Sequence, residues 1–422
     1  MMKKIFLPLL LLIPAVPPLS AMDVPLELTW TDCVRAAMTG NPALRAKKLA
    51  IEQYKYLYQA GFNDYLPSVN LSHSISRGTG KSGSIGNTVS SDIKASEPLF
   101  DLKAMSSIRS AKIKYDEAYA SYKDESAGLR QALYSAFINL VYAQENVATQ
   151  EKILIIRKNN AQLVKLDYDS GSESRGNMLY AQAQADLSQS DVLQAERSLN
   201  SARLNLLNSM GISEFRPIIA SATLTVPDYT FDTGNVKNII DNIPQVVLQE
   251  KSLESQKEQM LSAKYDLYPT LGASQSLSWS GNREFSGAQG WSAGLSLSLP
   301  LFSNGITYYA NNSKAAEWAF KSSEASLKDT KNSLENNILN GYNDFLNAKD
   351  TALVRLSVLN ADEERYKESQ IKYQAGQMSF IDLETTEQSM VSSRLSQLTY
   401  FKNALTTKIS LENLLGVGLE DQ

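Results

Sequence analysis

Two short segments of this chain repeat each other, and internal repeats limit the folds open to a sequence more than any other feature. The first opens YLPSVNLSHSIS and closes ASEPLFD; the second opens LYPTLGASQSLSWS and closes LSLPLFSNG. Pro67 and Pro98 recur as Pro269 and Pro300 at an offset of about 202 residues. Each segment encloses a Gly/Ser-rich loop, and the chain on either side reads as helix almost throughout. Each copy is therefore a β island between helices.

Alternation inside the islands is strict. Val69, Leu71, His73 and Ile75 share one face, with Ser68, Asn70, Ser72, Ser74 and Ser76 on the other. In the return strand Val89, Ile93 and Ala95 oppose Thr88, Ser90, Asp92, Lys94 and Ser96. The second island matches it, Leu271, Ala273, Leu277 and Trp279 opposing Gly272, Ser274, Ser276 and Ser278, then Ala293, Leu295, Leu297 and Leu299 opposing Ser292, Gly294, Ser296 and Ser298. Period 2 with a greasy and a wet face predicts strands, over 67–77, 88–97, 270–280 and 291–299. Roughly ten residues is the length that crosses a bilayer as a tilted strand. Tyr65, Phe100, Tyr268 and Phe302 flank the apolar bands at one end, with Trp279 and Trp291 towards the other, as in the aromatic girdles of transmembrane barrels. Two soluble hairpins packed on a helical core would show the same alternation.

The chain starts MMKKIFLPLLLLIPAVPPLSA, where two lysines, a short apolar run and closing small residues predict a signal peptide over residues 1–21. The run is too short to span a membrane as a helix. The one cysteine, Cys33, stands well past that cleavage site in a helical pattern, so lipidation and intrachain disulfides are not expected, and a small buried apolar role is. The formal charge is −4; without Lys3 and Lys4 it is −6, from 39 basic residues against 45 acidic, which argues against a nucleic-acid partner. His73 is the only histidine, so neither a His/Cys metal cluster nor a histidine-dependent triad can be written. GTGKSG at Gly78 to Gly83 lacks phosphate-loop spacing and lies between strands, which predicts an exposed loop. Acidic runs such as Asp362-Glu363-Glu364 read as a solvated helix face. No cofactor and no enzymatic activity are expected.

Around the islands the helices are punctuated by Pro and Gly. Asn41-Pro42 and Pro244 begin helices that run to the islands, Pro being suited to a first helical turn. From Leu102 to Tyr168 there is no proline and only Gly128; Tyr308 to Tyr373 contains only Gly341. Helices this long predict coiled-coil packing and would each extend on the order of 100 Å. Return helices are expected from near Asn177 to Gly211 and from near Phe380 to Gly416. On the first, Ala181, Ala185, Ser188, Val192, Ala195, Leu199, Ala202 and Leu206 step at the 3.5-residue spacing of a left-handed supercoil. Each long helix is thus expected to lie beside two shorter ones stacked end to end. The halves would span 22–234 and 235–422, with Ile212 to Gly234 a belt outside the helices that holds a short strand.

Four strands cannot close a barrel, since single-chain outer-membrane barrels start at eight. An open sheet leaves unsatisfied edges that hydrocarbon does not tolerate. If the strands cross a membrane, copies must associate, and three would supply twelve strands.

LTWTDCVRAAMTGNPALRAKK, LPSVNLS, PLFD, the YxxG turns and the LLNSMG and LENLLG ends together resemble the TolC family of outer-membrane efflux proteins, over essentially the whole mature chain. The resemblance implies a mainly α fold with a membrane β-barrel: a homotrimer whose twelve-stranded barrel in the outer membrane of a Gram-negative bacterium continues into a periplasmic α-barrel of long antiparallel coiled-coil helices. It implies a passive exit duct that serves a periplasmic adaptor and an inner-membrane pump, or a type I secretion system. A periplasmic coiled-coil scaffold with partner-binding hairpins is the alternative. The family's tip closes on acidic residues shortly after the second YxxG turn, which places Asp382 at the constriction. The sequence departs from the family pattern at Thr385 and Met378, where an aspartate and an arginine are common, and Glu384 and Glu387 are expected to supply negative charge instead. By the same resemblance the tip turns, with Tyr168, Gly171 and Gly176 in one and Tyr373 and Gly376 in the other, are the expected adaptor contacts.

Overall fold

The computed structural model describes residues 25–79, 85–226, 228–281, 288–301 and 304–421. The expected signal peptide, most of the GTGKSG loop and Phe302 lie outside these residues.

Local capping sets the helix starts. Strand β1 (Leu26–Leu28) leads into α1 (Trp30–Gly40), which begins at a reciprocal box: the Thr29 hydroxyl accepts from Asp32 N–H at 3.3 Å while the Asp32 carboxylate accepts from Thr29 N–H at 3.2 Å. In α2 (Pro42–Gly61) Asn41 Oδ1 accepts from the N–H groups of Ala43 and Leu44, at 2.9 and 3.2 Å, and Pro42 fills the first turn. After a 3-10 turn at Phe62–Tyr65 come strands β2 (Ser68–Thr79) and β3 (Ile85–Phe100). Asp101 then caps α3 (Leu102–Asp169), 68 residues long, and α4 (Arg175–Ser209) runs back. Following β4 (Ile218–Ala220) and the short α5 (Val236–Ile240), the same succession recurs as α6 (Pro244–Tyr265), β5 (Thr270–Gly281), β6 (Ala288–Ser298), α7 (Tyr308–Gln374, 67 residues) and α8 (Phe380–Leu414). At 1.5 Å per residue α3 and α7 each extend about 100 Å.

Strands β2 to β6, β4 apart, form one antiparallel sheet in the order β2-β3-β5-β6, and its register sorts the side chains. Leu71 faces Ile93, Ile93 faces Leu277 and Leu277 faces Trp291, so this row of the face is apolar from edge to edge. On the other face serine hydroxyls pair across strands, Ser68 with Ser96, Ser74 with Ser90 and Ser276 with Ser292, at 2.8–2.9 Å. Leu71 remains 70% exposed and Leu295 and Leu297 73%, so the chain's own helices do not cover the greasy face. Packing of the hairpins on a helical core is thereby excluded. The strands run further towards the loops than expected, and β3 continues to Phe100 through a register shift at Pro98.

The helical layer follows the sheet: α2 packs on α3, α3 on α6 and α6 on α7, while α4 lies on α3 and α8 lies on both α7 and α3. One core gathers Cys33, Val34 and Ala37 of α1 with Leu133, Phe137 and Leu140 of α3, Leu206 of α4 and Ile218 of β4. Another, towards the far end of the long helices, joins Ile153, Val164, Ala181, Tyr366, Phe380, Leu383 and Met390. The α4 stripe is buried at every step except half-buried Leu199. Within 212–234, β4 pairs in parallel with β1. A three-residue strand whose partner is so distant gives no periodic signal, and β1 went unseen in the sequence. Tyr229 and Phe231 of the belt dock on α7, with the rings of Tyr229 and Phe345 at 5.9 Å and those of Phe231 and Tyr342 at 5.7 Å.

Candidate functional site at the helical tips

The helix pairs α3/α4 and α7/α8 turn at their ends by the same device. Gly171 (φ +83°) and Gly376 (φ +70°) adopt the left-handed conformation just past α3 and α7. In the first turn Ser172 N–H donates to Asp167 C=O at 2.8 Å and Gly171 N–H to Tyr168 C=O at 3.0 Å. In the second Gln377 N–H donates to Lys372 C=O and Gly376 N–H to Tyr373 C=O, both at 2.9 Å. This double closure is the Schellman motif, and it explains the YxxG spacing. Ser174 and Ser379 then cap the return helices, accepting from the N–H groups of Asn177 at 3.1 Å and Asp382 at 3.2 Å. Gly176 lies inside the first turn of α4, so α4 starts slightly before its expected position.

The two YxxG tyrosines differ. Tyr168 is exposed, whereas Tyr373 is buried and its hydroxyl donates to Asp167 Oδ2 at 3.0 Å, tying α7 to α3. Burial, with the Asp167 charge beside it, pushes the Tyr373 phenol well above its ordinary range.

Asp382 is exposed in the first turn of α8, where its carboxylate also accepts from the Ser379 hydroxyl at 2.7 Å. A helix-starting acid and a solvent-facing charge coincide in one residue. Glu384 is half-buried and accepts from the Tyr180 hydroxyl of α4 at 2.8 Å. Glu387, expected to supply negative charge at the constriction, is buried, its Oε1 accepting from Arg157 Nε of α3 at 3.2 Å and its Oε2 accepting from Asn160. Burial raises its carboxyl above the ordinary glutamate value although Asn160 and Arg157 pull the other way. Met378, where the resemblance expects an arginine, packs against the apolar cluster at the far end of the helices. Asp167, Tyr180, Arg157 and Asn160 were missed in the sequence. For Arg157 a signal existed: Ile153, Arg157, Asn160 and Val164 keep the seam spacing, which puts a charge at a core position.

Among the described residues no group of three or more His, Cys, Asp or Glu could hold a metal ion, and no helix is long and apolar enough to cross a membrane. Cys33 is fully buried, and burial together with the Asp32 charge pushes its thiol up to about 12.

A sheet with a bare apolar face and a hydroxyl-lined back, continuous with helices about 100 Å long, defines an outer-membrane channel with a periplasmic helical extension. The family described as outer membrane efflux protein matches this chain over residues 34–212 and 235–417, and the chain belongs to that family. It works in transport and not as an enzyme. The chain is 22% identical to Protein CyaE of Bordetella pertussis over 411 residues, covering 94% of this chain and 85% of that protein. It is 26% identical to Nodulation protein T of Rhizobium leguminosarum bv. trifolii over 203 residues, which span 46% of this chain and 44% of that relative. Among solved structures, the open state of the Neisseria gonorrhoeae MtrE outer membrane channel superposes with a TM-score of 0.80 at 20% identity, covering 93% of this chain and 90% of MtrE. The outer-membrane channel OprN gives 0.80 at 19%, covering 92% and 90%.

Proposed function

We propose that three copies of this chain close a twelve-stranded barrel and a helical tunnel beneath it, forming the passive exit duct of a tripartite efflux pump or a type I secretion system. One observation carries the reading. The sheet ends at β2 and β6, and the helical layer ends at α2 and α4 on one side and at α7 on the other, α2 and α7 being the helices next to those edge strands in the chain. Both layers therefore leave the same two edges open, and one symmetric neighbour contact satisfies both. Hydrocarbon tolerates no open strand edge, so the sheet requires that contact. The family reading supports trimers, and the repeated order of elements supports two similar halves per chain. Asp382 would then occur three times around the axis, a ring that attracts cations and repels anions at a narrow opening. The tip turns at Tyr168–Gly176 and Tyr373–Ser379 would meet the periplasmic adaptor.

Purified protein in detergent should run at three times the chain mass and conduct in planar bilayers. Asp382→Ala should lower its cation preference. A monomer without conductance rejects the duct, and an unchanged preference in Asp382→Ala rejects the ring. A photo-cross-linker at exposed Gln377 should capture the adaptor; a crosslink to the pump alone would move the contact elsewhere.

A further inference from the structure

Helix α8 is fastened to α3 by two arginine–glutamate pairs whose glutamates are buried, each with its arginine on α3. Arg130 meets Glu412 towards the end of α8, and Arg157 meets Glu387 near its start. At 1.5 Å per residue the arginines stand about 40 Å apart along α3.

The two pairs are built differently. Glu412 is also held by Lys408 of its own helix at 2.9 Å, and Arg130 Nε has no partner. Arg157 uses its whole fork: Nε donates to Glu387, Nη1 to the Ser188 hydroxyl of α4 at 3.0 Å and Nη2 to Gln388 Oε1 of α8 at 3.1 Å. Asn160 donates both to Glu387 and, at 3.0 Å, to the Tyr366 hydroxyl of α7. One network thus ties α3, α4, α7 and α8 together. A buried ion pair contributes little net stability over an apolar pair of the same shape, because desolvation offsets its attraction. What a satisfied planar fork supplies is geometry. Glu387 lies about 7.5 Å along α8 from Asp382, within about one and a half turns.

We propose that the Arg157–Glu387 network is the positioning element that sets the rotation and height of the first turns of α8, and with them Asp382, while Arg130–Glu412 anchors the far end. The proposal rests on Asp382 lining the duct. Arg157 and Glu387 act through α8 and do not themselves reach the opening.

The test compares Arg157→Gln, Arg130→Gln and the reversed pair Arg157→Glu/Glu387→Arg as assembled channels in planar bilayers. Arg157→Gln should raise conductance several-fold and weaken cation preference. Arg130→Gln should lower the Tm yet conduct like the parent, and the reversed pair should return towards parental conductance. Parental conductance and selectivity in Arg157→Gln, or equal changes in Arg130→Gln, would overturn the proposal. Should Arg157→Gln not assemble, Asn160→Ala and Gln388→Ala each remove one member of the network. Spin labels at exposed Lys158 and Ser392 then read the α3–α8 separation, with Cys33 too buried to react. A broadened distance distribution supports the positioning role and an unchanged one rejects it. That distance is independent of Asp382, so a failed ring and a failed clamp give different results.

Discussion

Burial raises the carboxyls of two glutamates on one helix, yet their net shifts have opposite signs. At Glu412 burial pushes the carboxyl up, but hydrogen bonds from Lys408 and Arg130 more than offset it, and the group sits below its ordinary 4.5. At Glu387 burial prevails. The sign follows by linkage: a lowered folded value gives stability that is present above pH 4.5 and lost as pH falls through the folded value. Glu412→Gln should therefore cost about 1.5–3 kcal/mol at neutral pH, the worth of hydrogen bonds to a charged group, and clearly less in acid. Chemical denaturation of both proteins at neutral and acid pH measures this; an equal cost at both would refute it. At this scale the sequence was a partial guide. Cys33 was legible as a buried apolar residue because a cysteine without a disulfide partner in a helical pattern behaves as a small hydrophobe. Glu387 was not, because a carboxylate reads as solvated until its partner is known, and Arg157 lies on another helix.

Helix ends were the most legible elements. Between Leu102 and Tyr168 nothing but Gly128 interrupts helix formers, and α3 stops at Asp169, one residue past the tyrosine of its YxxG turn. The turn glycines explain why: at Gly171 past α3, as at Gly376 past α7, a Cβ would meet nothing within 4 Å, so the only obstacle to a side chain is the positive φ, 83° and 70°. Gly376→Ala should then cost about 1–2 kcal/mol through backbone strain alone. Circular dichroism melting should show a lower Tm with the mass of the assembly unchanged; an unaltered Tm would show that the turn relaxes to another conformation. Strand edges were less legible. Serine and glycine continue the ladder into the loops without apolar alternation to mark them, so the strands exceed their expected ends.

At the scale of the molecule, the membrane face can be checked by single charges. Leu295 lies on the bare apolar face and Ser296, beside it, on the hydroxyl face. Arginine on the lipid side costs about 2–4 kcal/mol near the bilayer midplane. Leu295→Arg should therefore deplete the protein from outer-membrane fractions while Ser296→Arg remains, and equal depletion would contradict the assignment of faces. The alternation by itself determined that each strand has a greasy and a wet side, and the Pro/Gly punctuation determined where the long helices begin and end, because both are properties of consecutive residues. The bonding order β2-β3-β5-β6, the matching edges at α2 and α4 on one side and α7 on the other, and the charged ties between α3 and α8 were decided only by the tertiary structure. Each depends on residues far apart in the chain, and no local pattern records which of many similar strands and charges will meet.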